Sequence, residues 1–448
     1  MARARPVFFC TDCGNETPRW AGQCPACGAW NTLAEQPDAK RRTAVPAPSI
    51  ADVVRLNAVN AGADVRLRTG MAEFDFVLGG GLVPGGVVLV GGEPGIGKST
   101  LLLQAAARFE ACGAATLYVS GEESAQQVRL RADRLDAGAR AVHFLATTDL
   151  DTILDAATRQ SSRVLVVDSV QTAQAGDVEG TAGNVTQVRE CALRLQRFAK
   201  ETGCAILLVG HVTKDGGVAG PKTLEHIVDT VLYFEGAPGA EHRILRATKN
   251  RFGSADEIGV FHMTGAGLVP AADASAVFLA GRASDTSGTT VAPAIEGTRA
   301  LLVEVQALCT RSSWGAPQRV ANGFDRQRLA LLLAVLEKRA GIAFGQLDVF
   351  VNIAGGARLS EPAGDLAVAV ALASSALDRP APATAVFAGE VGLGGEIRPV
   401  PQLDRRLAEA VRLGFDQAFV PMAAGGRSGG LRLHTVQALG DVVNRLFA

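Results

Sequence analysis

Nine residues, Gly92-Glu93-Pro94-Gly95-Ile96-Gly97-Lys98-Ser99-Thr100, leave this chain little freedom of fold. They match the spacing G-x4-G-K-[ST] and sit between an apolar run, Val87 to Val90, and a helical pattern, Leu101 to Glu110. In that strand-loop-helix setting the glycines let backbone N–H groups turn inward on phosphates, and the helix N-terminus adds its positive end. Lys98 is placed to reach the β- and γ-phosphates and Ser99 to ligand a divalent cation, so ATP and Mg2+ are the implied cofactors.

The surrounding chain repeats the same alternation. Val87–Val90, Thr116–Val119, Val164–Val167 and Ala205–Val209 read as buried strands, and the stretches after Lys98, Ser124, Asp149 and Asn184 as helices. This predicts an α/β fold built on a mostly parallel sheet covered on both faces. At 448 residues the chain is too long for one core. Residues 1–33 hold four cysteines, and residues 34–64 mix Pro, Ala and charge and read as a linker, with a short helix at Ile50 to Val59. Residues 65–275 form the phosphate-loop domain. After a Gly-, Ser- and Thr-rich break at 281–290, residues 290–448 form a second α/β domain, with strands at Ala300–Val305, Asp348–Ile353 and Ala385–Ala388 and helices at Asp325–Arg339, Asp365–Leu377 and Leu403–Leu413.

Cys10-x2-Cys13-x10-Cys24-x2-Cys27 supplies two turns of two thiolates each, and the spacer lets the pairs close a tetrahedron around Zn2+. Four thiolates leave no open position, so the role is structural, and bound zinc contributes roughly 10–16 kcal/mol of apparent binding free energy to a segment with almost no core. Trp20 and Trp30 are expected to form that small core, with an exposed docking surface as the alternative. The other cysteines, Cys112, Cys191, Cys204 and Cys309, are scattered through apolar stretches, which fits a reducing, cytoplasmic setting. The most apolar helical stretch, Leu366 to Leu377, is too short to span a bilayer, so no membrane partner is expected. Formal net charge is -1, so any contact with nucleic acid must come from local clusters.

Several polar residues fall at strand ends near the phosphate loop. Asp168 closes the run Val164–Val167, where a Mg2+-coordinating carboxylate belongs. Glu122 and Glu123 follow the neighbouring strand; one suits a general base that polarises water, the other a carboxylate at a helix N-terminus. His211 ends another strand, as a γ-phosphate sensor or a structural histidine. The following Gly-rich loop carries Lys214 and Lys222, placed either in solvent or against phosphates of a strand. The segment Ala247-Thr-Lys-Asn-Arg-Phe-Gly253 is harder to place: it ends the apolar run His242–Arg246 with two cations and an asparagine in three positions.

Taken together, "GGEPGIGKST", "VVDSVQT", "GHVTKDG", "KNRFG" and the four-cysteine N-terminus resemble the RecA-like ring ATPases, in particular the bacterial DNA repair and recombination branch with a zinc finger in front and a Lon protease-like domain behind. The resemblance covers nearly the whole chain. It implies a homo-hexameric, ATP-driven, DNA-stimulated translocase that acts on single-stranded and branched DNA and promotes branch migration with the RecA recombinase. It assigns Glu122 as the catalytic glutamate and Asp168 as the Mg2+ carboxylate, and it sets residues 172–186 and 214–222 toward a DNA channel. By similarity to ring helicases, Lys249 and Arg251 reach the γ-phosphate bound by the adjacent subunit, with DNA as a competing partner for Lys249. The Lon-like domain departs from its family where it matters: Ala363 stands at the nucleophile position and Asp404 at the lysine position, which implies a pseudo-protease scaffold. Arg405 and Arg406 are placed either on duplex DNA or on a solvated helix face. The competing reading is a signalling or adaptor ATPase on the same core, without motor activity.

Overall fold

The computed structural model describes residues 8–10, 15–17, 19–35, 66–135, 137–211, 224–236, 242–283, 285–312, 315–422 and 430–448. Cys13, Lys214, Lys222, the side chain of His211, the helix expected at 50–59 and most of the linker lie outside the described residues. Two compact units emerge: one contains the chain up to Phe234 with Ala247–Gly253 and Gly265–Leu268, the other Glu235–Arg246, Ser254–Thr264 and Val269–Ala448.

The first unit opens on a three-stranded antiparallel sheet in which β1 (Phe8–Cys10) lies between β2 (Glu16–Thr17) and β3 (Leu33–Glu35). Its buried cluster is only Cys10, Cys24 and Leu33, with Phe8 against it. Trp20 and Trp30 are 58% and 70% exposed, which corrects the expectation that they form its core. The cysteines occupy that space, and the small ribbon has no interior left for an indole.

Beyond it, α1 (Ala72–Val77) leads into β4 (Val87–Gly92), α2 (Lys98–Ala111), β5 (Thr116–Ser120), α3 (Ala125–Arg134), β6 (His143–Ala146), α4 (Leu150–Arg159), β7 (Val164–Asp168), α5 (Val185–Thr202), β8 (Ala205–His211) and β9 (Thr230–Glu235). The strand order is β9-β4-β8-β7-β5-β6, and every neighbouring pair among these is parallel. Strands β4, β5 and β7 are buried along their whole length, as their unbroken apolar runs require when helices cover both faces. The helices begin where their capping residues stand. Ser124 forms a capping box with Gln127, Asp149 accepts from the Thr152 N–H, and Asn184 accepts from the Thr186 N–H. The parallel arrangement brings the C-terminal ends of β4, β5, β7 and β8 to one edge, where crevices for ligands form in such sheets.

The strand expected to finish at Arg246 continues as β10 (His242–Asn250). Lys249 and Asn250 therefore lie within the strand, and Arg251 follows it directly.

In the second unit β11 (Ile258–Thr264) pairs with the first half of β10, and β12 (Gly267–Pro270) begins in the first unit and ends in the second. The unit then contains α6 (Ala274–Leu279), β13 (Thr289–Glu296), β14 (Arg299–Arg311), β15 (Arg319–Asn322), α7 (Arg326–Ala340), β16 (Leu347–Ile353), α8 (Asp365–Leu377), β17 (Ala385–Phe387), the hairpin β18 (Glu390–Val391) and β19 (Ile397–Arg398), α9 (Leu403–Arg412), β20 (Gln417–Pro421), β21 (Arg432–Val436) and α10 (Leu439–Phe447). One sheet has the order β13-β14-β16-β15 and another the parallel order β17-β20-β21. The Ala-rich α8 is buried at every position from Asp365 to Ser374, the state expected of a helix apolar all round.

Candidate nucleotide-binding site

The loop after β4 has the shape a phosphate needs. Gly92 has φ 154 and pairs in register with Phe234; a Cβ there would stand 2.6 Å from the Phe234 carbonyl oxygen, so no other residue fits. Helix α2 starts at Lys98, with Gly97 in the left-handed region before it. Lys98 is 4% exposed, and its ammonium donates to the carbonyls of Gly92 and Glu93, both at 2.9 Å. Burial pulls its pKa below the ordinary lysine value, while the Asp168 and Glu122 carboxylates act in the opposite direction. Glu93, Pro94 and Gly95 are exposed, Ile96 is buried beneath them, and Ser99 and Thr100 at the head of α2 are half-buried.

The acids meet this loop from the next strands of the sheet. Asp168, at the end of β7, is 4% exposed and accepts a 2.6 Å hydrogen bond from the Tyr118 hydroxyl of β5. Burial and the adjacent Asp168 carboxylate both push the Tyr118 pKa well above the usual phenol value, so the phenol stays a donor. Ser169, joined to Asp168 by a cis peptide bond, donates its hydroxyl to Glu122 Oε1 at 2.6 Å. Glu122 is exposed, whereas Glu123 forms a 2.5 Å ion pair with Arg131 of α3. The two glutamates thus have different surroundings: Glu122 faces the residues around Asp168 and Glu123 is tied to its own helix. Tyr118 and Ser169 were not singled out in the sequence; the signal for Tyr118 was a hydroxyl in mid-strand among apolar neighbours.

The Lys249–Gly253 segment is held at the other end of β4. Lys249 donates to the carbonyls of Glu225 and Val228 at 2.5 and 2.8 Å. Burial and the neighbouring Arg251 lower its pKa, and Asp229 and Glu225 oppose that shift. Arg251, with its side chain 51% exposed, pairs with Asp229 Oδ1 at 3.0 Å, and Asp229 Oδ2 accepts the Val87 N–H at 3.1 Å. Asn250 is the structural member of the motif: its Oδ1 accepts from the Phe252 N–H and the Thr230 hydroxyl. Gly253 packs closely here: a Cβ would come within 2.9 Å of the Asn250 amide and 3.2 Å of Gly79 Cα. Asp229 is a further residue that the sequence reading passed over.

In the N-terminal ribbon the Sγ atoms of Cys10, Cys24 and Cys27 all lie within 4.8 Å of one another, with Cys10 and Cys27 at 3.7 Å. Thiolates bound to one tetrahedral zinc at about 2.3 Å stand about 3.8 Å apart, so these residues fit Zn2+. Burial raises three thiols of the rest of the chain, Cys191 and Cys309 to about 11 and Cys204 to about 12, values that make them packing groups.

In the second unit, Ala363 is buried just ahead of α8, and Asp404 is exposed in the first turn of α9. Arg406 corrects the expectation of a DNA contact or a solvated face: it is 0% exposed. Its guanidinium grips both oxygens of Glu361 at 2.5 Å and also donates to the carbonyls of Pro293 and Pro401. Arg405 remains on the surface.

Residues 65–217 match the family described as an AAA domain, residues 8–35 the rubredoxin metal binding domain, and residues 317–424 the ChlI subunit of Mg-chelatase. The chain is similar to the DNA repair protein RadA of Bacillus subtilis strain 168, 46% identical over 429 residues and 94% of each chain. It is 46% identical over 454 residues to that of Pseudomonas aeruginosa PAO1, covering 100% of both, and 45% identical over 456 residues to that of Escherichia coli K12, covering 99% of both.

Proposed function

Because the chain belongs to the RadA family of DNA repair proteins, we propose that it is an ATP-driven motor that moves on single-stranded DNA and promotes branch migration with the RecA recombinase. Its architecture is a RecA-like P-loop ATPase core with a zinc ribbon before it and a ChlI- and Lon-like unit after it, and its chemistry is ATP hydrolysis. No helix of the described residues is long and apolar enough to cross a membrane.

In this reading Lys98 neutralises the β- and γ-phosphates, and Ser99 and Asp168 hold Mg2+, which supplies further positive charge at the phosphates. Glu122, fixed by Ser169, takes the proton of the attacking water. His211 senses the γ-phosphate. Residues 172–186 and 214–222, with Lys214 and Lys222, face the DNA, and Cys13 completes the zinc ligand set.

The observation that carries the motor reading is the distance between a chain's own cradle and its own trigger. Arg251 is anchored through Asp229 to the first residue of β4, and the phosphate loop leaves the last. Six residues of strand separate the two ends by about 16 Å at roughly 3.3 Å per residue. This separation supports the reading that Lys249 and Arg251 serve a pocket on an adjacent subunit of a hexameric ring. The second unit is a scaffold without peptidase activity, since no hydroxyl or amine stands at positions 363 and 404.

ATP turnover with and without single-stranded DNA, alongside mass measured with a non-hydrolysable nucleotide, tests this. Several-fold stimulation and a sixfold mass are expected. A rate indifferent to DNA in a protein that migrates no strand defeats the motor and leaves the signalling or adaptor ATPase.

A further inference from the structure

At the sheet edge opposite the phosphate loop, a cleft of about 340 Å³ is lined by Arg66, Arg68 and Arg163 together with Phe109, Cys112 and Ala114. Ala114 and Arg163 stand just before β5 and β7, and Phe109 and Cys112 end α2, so the place follows from the parallel sheet. Several other arginines of this unit are closed by carboxylates, Arg131 on Glu123, Arg194 on Asp177 and Arg251 on Asp229. Among the described residues, no carboxylate pairs with Arg68 or Arg163, and both are exposed. Arg66 donates to the carbonyls of Leu78 and Phe252. Three like charges thus face one cavity without a counter-charge.

We propose that this cleft binds a phosphate group of a nucleic-acid backbone, at a site separate from the nucleotide loop. Guanidinium forks match phosphate oxygens bidentately, and repulsion between the three cations is relieved by an oxyanion. Phe109 is fully buried and Ala114 nearly so, and neither side chain has a hydrogen-bonding group. The cleft therefore reads charge and not base edges, as sequence-independent contacts do. The source of the phosphate, a DNA strand, rests on the proposed motor reading; the oxyanion chemistry does not. Arg66 also holds the Phe252 carbonyl at 2.6 Å, so an occupant that draws on Arg66 acts on the Lys249–Gly253 segment.

The full-length Arg68→Ala/Arg163→Ala variant tests the proposal. Both side chains are exposed, so unfolding is not expected, and an unchanged melting temperature checks this. Affinity for a single-stranded oligonucleotide should fall about tenfold or more, and the slope of log K against log salt should shrink by about one to two. Unchanged affinity and slope overturn the site. The Lys/Lys variant should recover the slope with only part of the affinity, which a merely structural role does not produce. A second measurement uses the exposed Cys112 thiol inside the cleft. Alkylation of Cys112 should slow in the presence of the oligonucleotide and of millimolar inorganic phosphate. Protection by polyglutamate alone overturns the phosphate assignment, and protection by inorganic phosphate but not by DNA overturns the strand contact. If wild-type hydrolysis ignores DNA while phosphate protects Cys112, the motor reading fails and the oxyanion site stands.

Discussion

Around the phosphate loop, the functional side chains hydrogen-bond to neutral groups: Lys98 to two carbonyls, Asp168 to a phenol, Glu122 to a serine hydroxyl. In the second unit, groups of the same kinds are closed on their opposites. Arg406 grips both oxygens of Glu361, and Arg328 grips both oxygens of the buried Asp365. A neutral partner can be exchanged for a ligand at small cost, because the charge it leaves is met by the incoming phosphate or cation. A buried bidentate pair cannot be opened that way, since removing one member strands the other charge in a low-dielectric interior. The first arrangement is suited to chemistry and the second to holding a fold together.

The sharpest way to break this contrast is at Arg251, which is paired with a carboxylate and yet assigned to the working region. Arg251→Ala should lower turnover by about 10³–10⁵, the range for an arginine finger, with nucleotide binding retained. Mixing it with Lys98→Ala subunits should restore part of the rate; no recovery at any ratio removes the between-subunit role. Next in size, Glu122→Gln should cost about 10²–10⁴ in kcat, while Glu123→Gln should stay within a few fold, because its partner is Arg131. Equal losses would erase the distinction between the glutamates. The smallest effect on turnover belongs to the second unit. Arg406→Met should destabilise the protein by about 3–5 kcal/mol in chemical denaturation, and adding Glu361→Leu should return much of it. If the double variant is no more stable than the single one, the pair is more than a mutual neutralisation.

What could be read from the sequence was local. The glycine spacing around Lys98 and the unbroken runs of β4, β5, β7 and β8 depend on neighbours within a few residues, and Ser124, Asp149 and Asn184 mark helix starts by their own side chains. What escaped depends on strand order. Tyr118 meets Asp168 only because β5 and β7 are adjacent, and Asp229 meets Val87 across 142 residues. Arg406 reads in sequence as a duplex-DNA contact or a solvated helix position; its burial follows from Glu361, 45 residues earlier, supplying two oxygens to a guanidinium. Lys249 looked like the end of a strand, and the strand persists because the carbonyls of Glu225 and Val228 take up its charge.

Asp229 spends one oxygen on the Arg251 guanidinium and the other on the first amide of β4. That carboxylate makes β4 a push-rod. If Arg251 is drawn toward a neighbour's phosphates, as proposed above, the tug is applied to the near end of a stiff, fully buried strand whose far end leads into this subunit's own phosphate loop. On the proposed between-subunit role of Arg251, successive pockets would be geared to one another mechanically, so that an event in one reaches the next as a displacement of its grip.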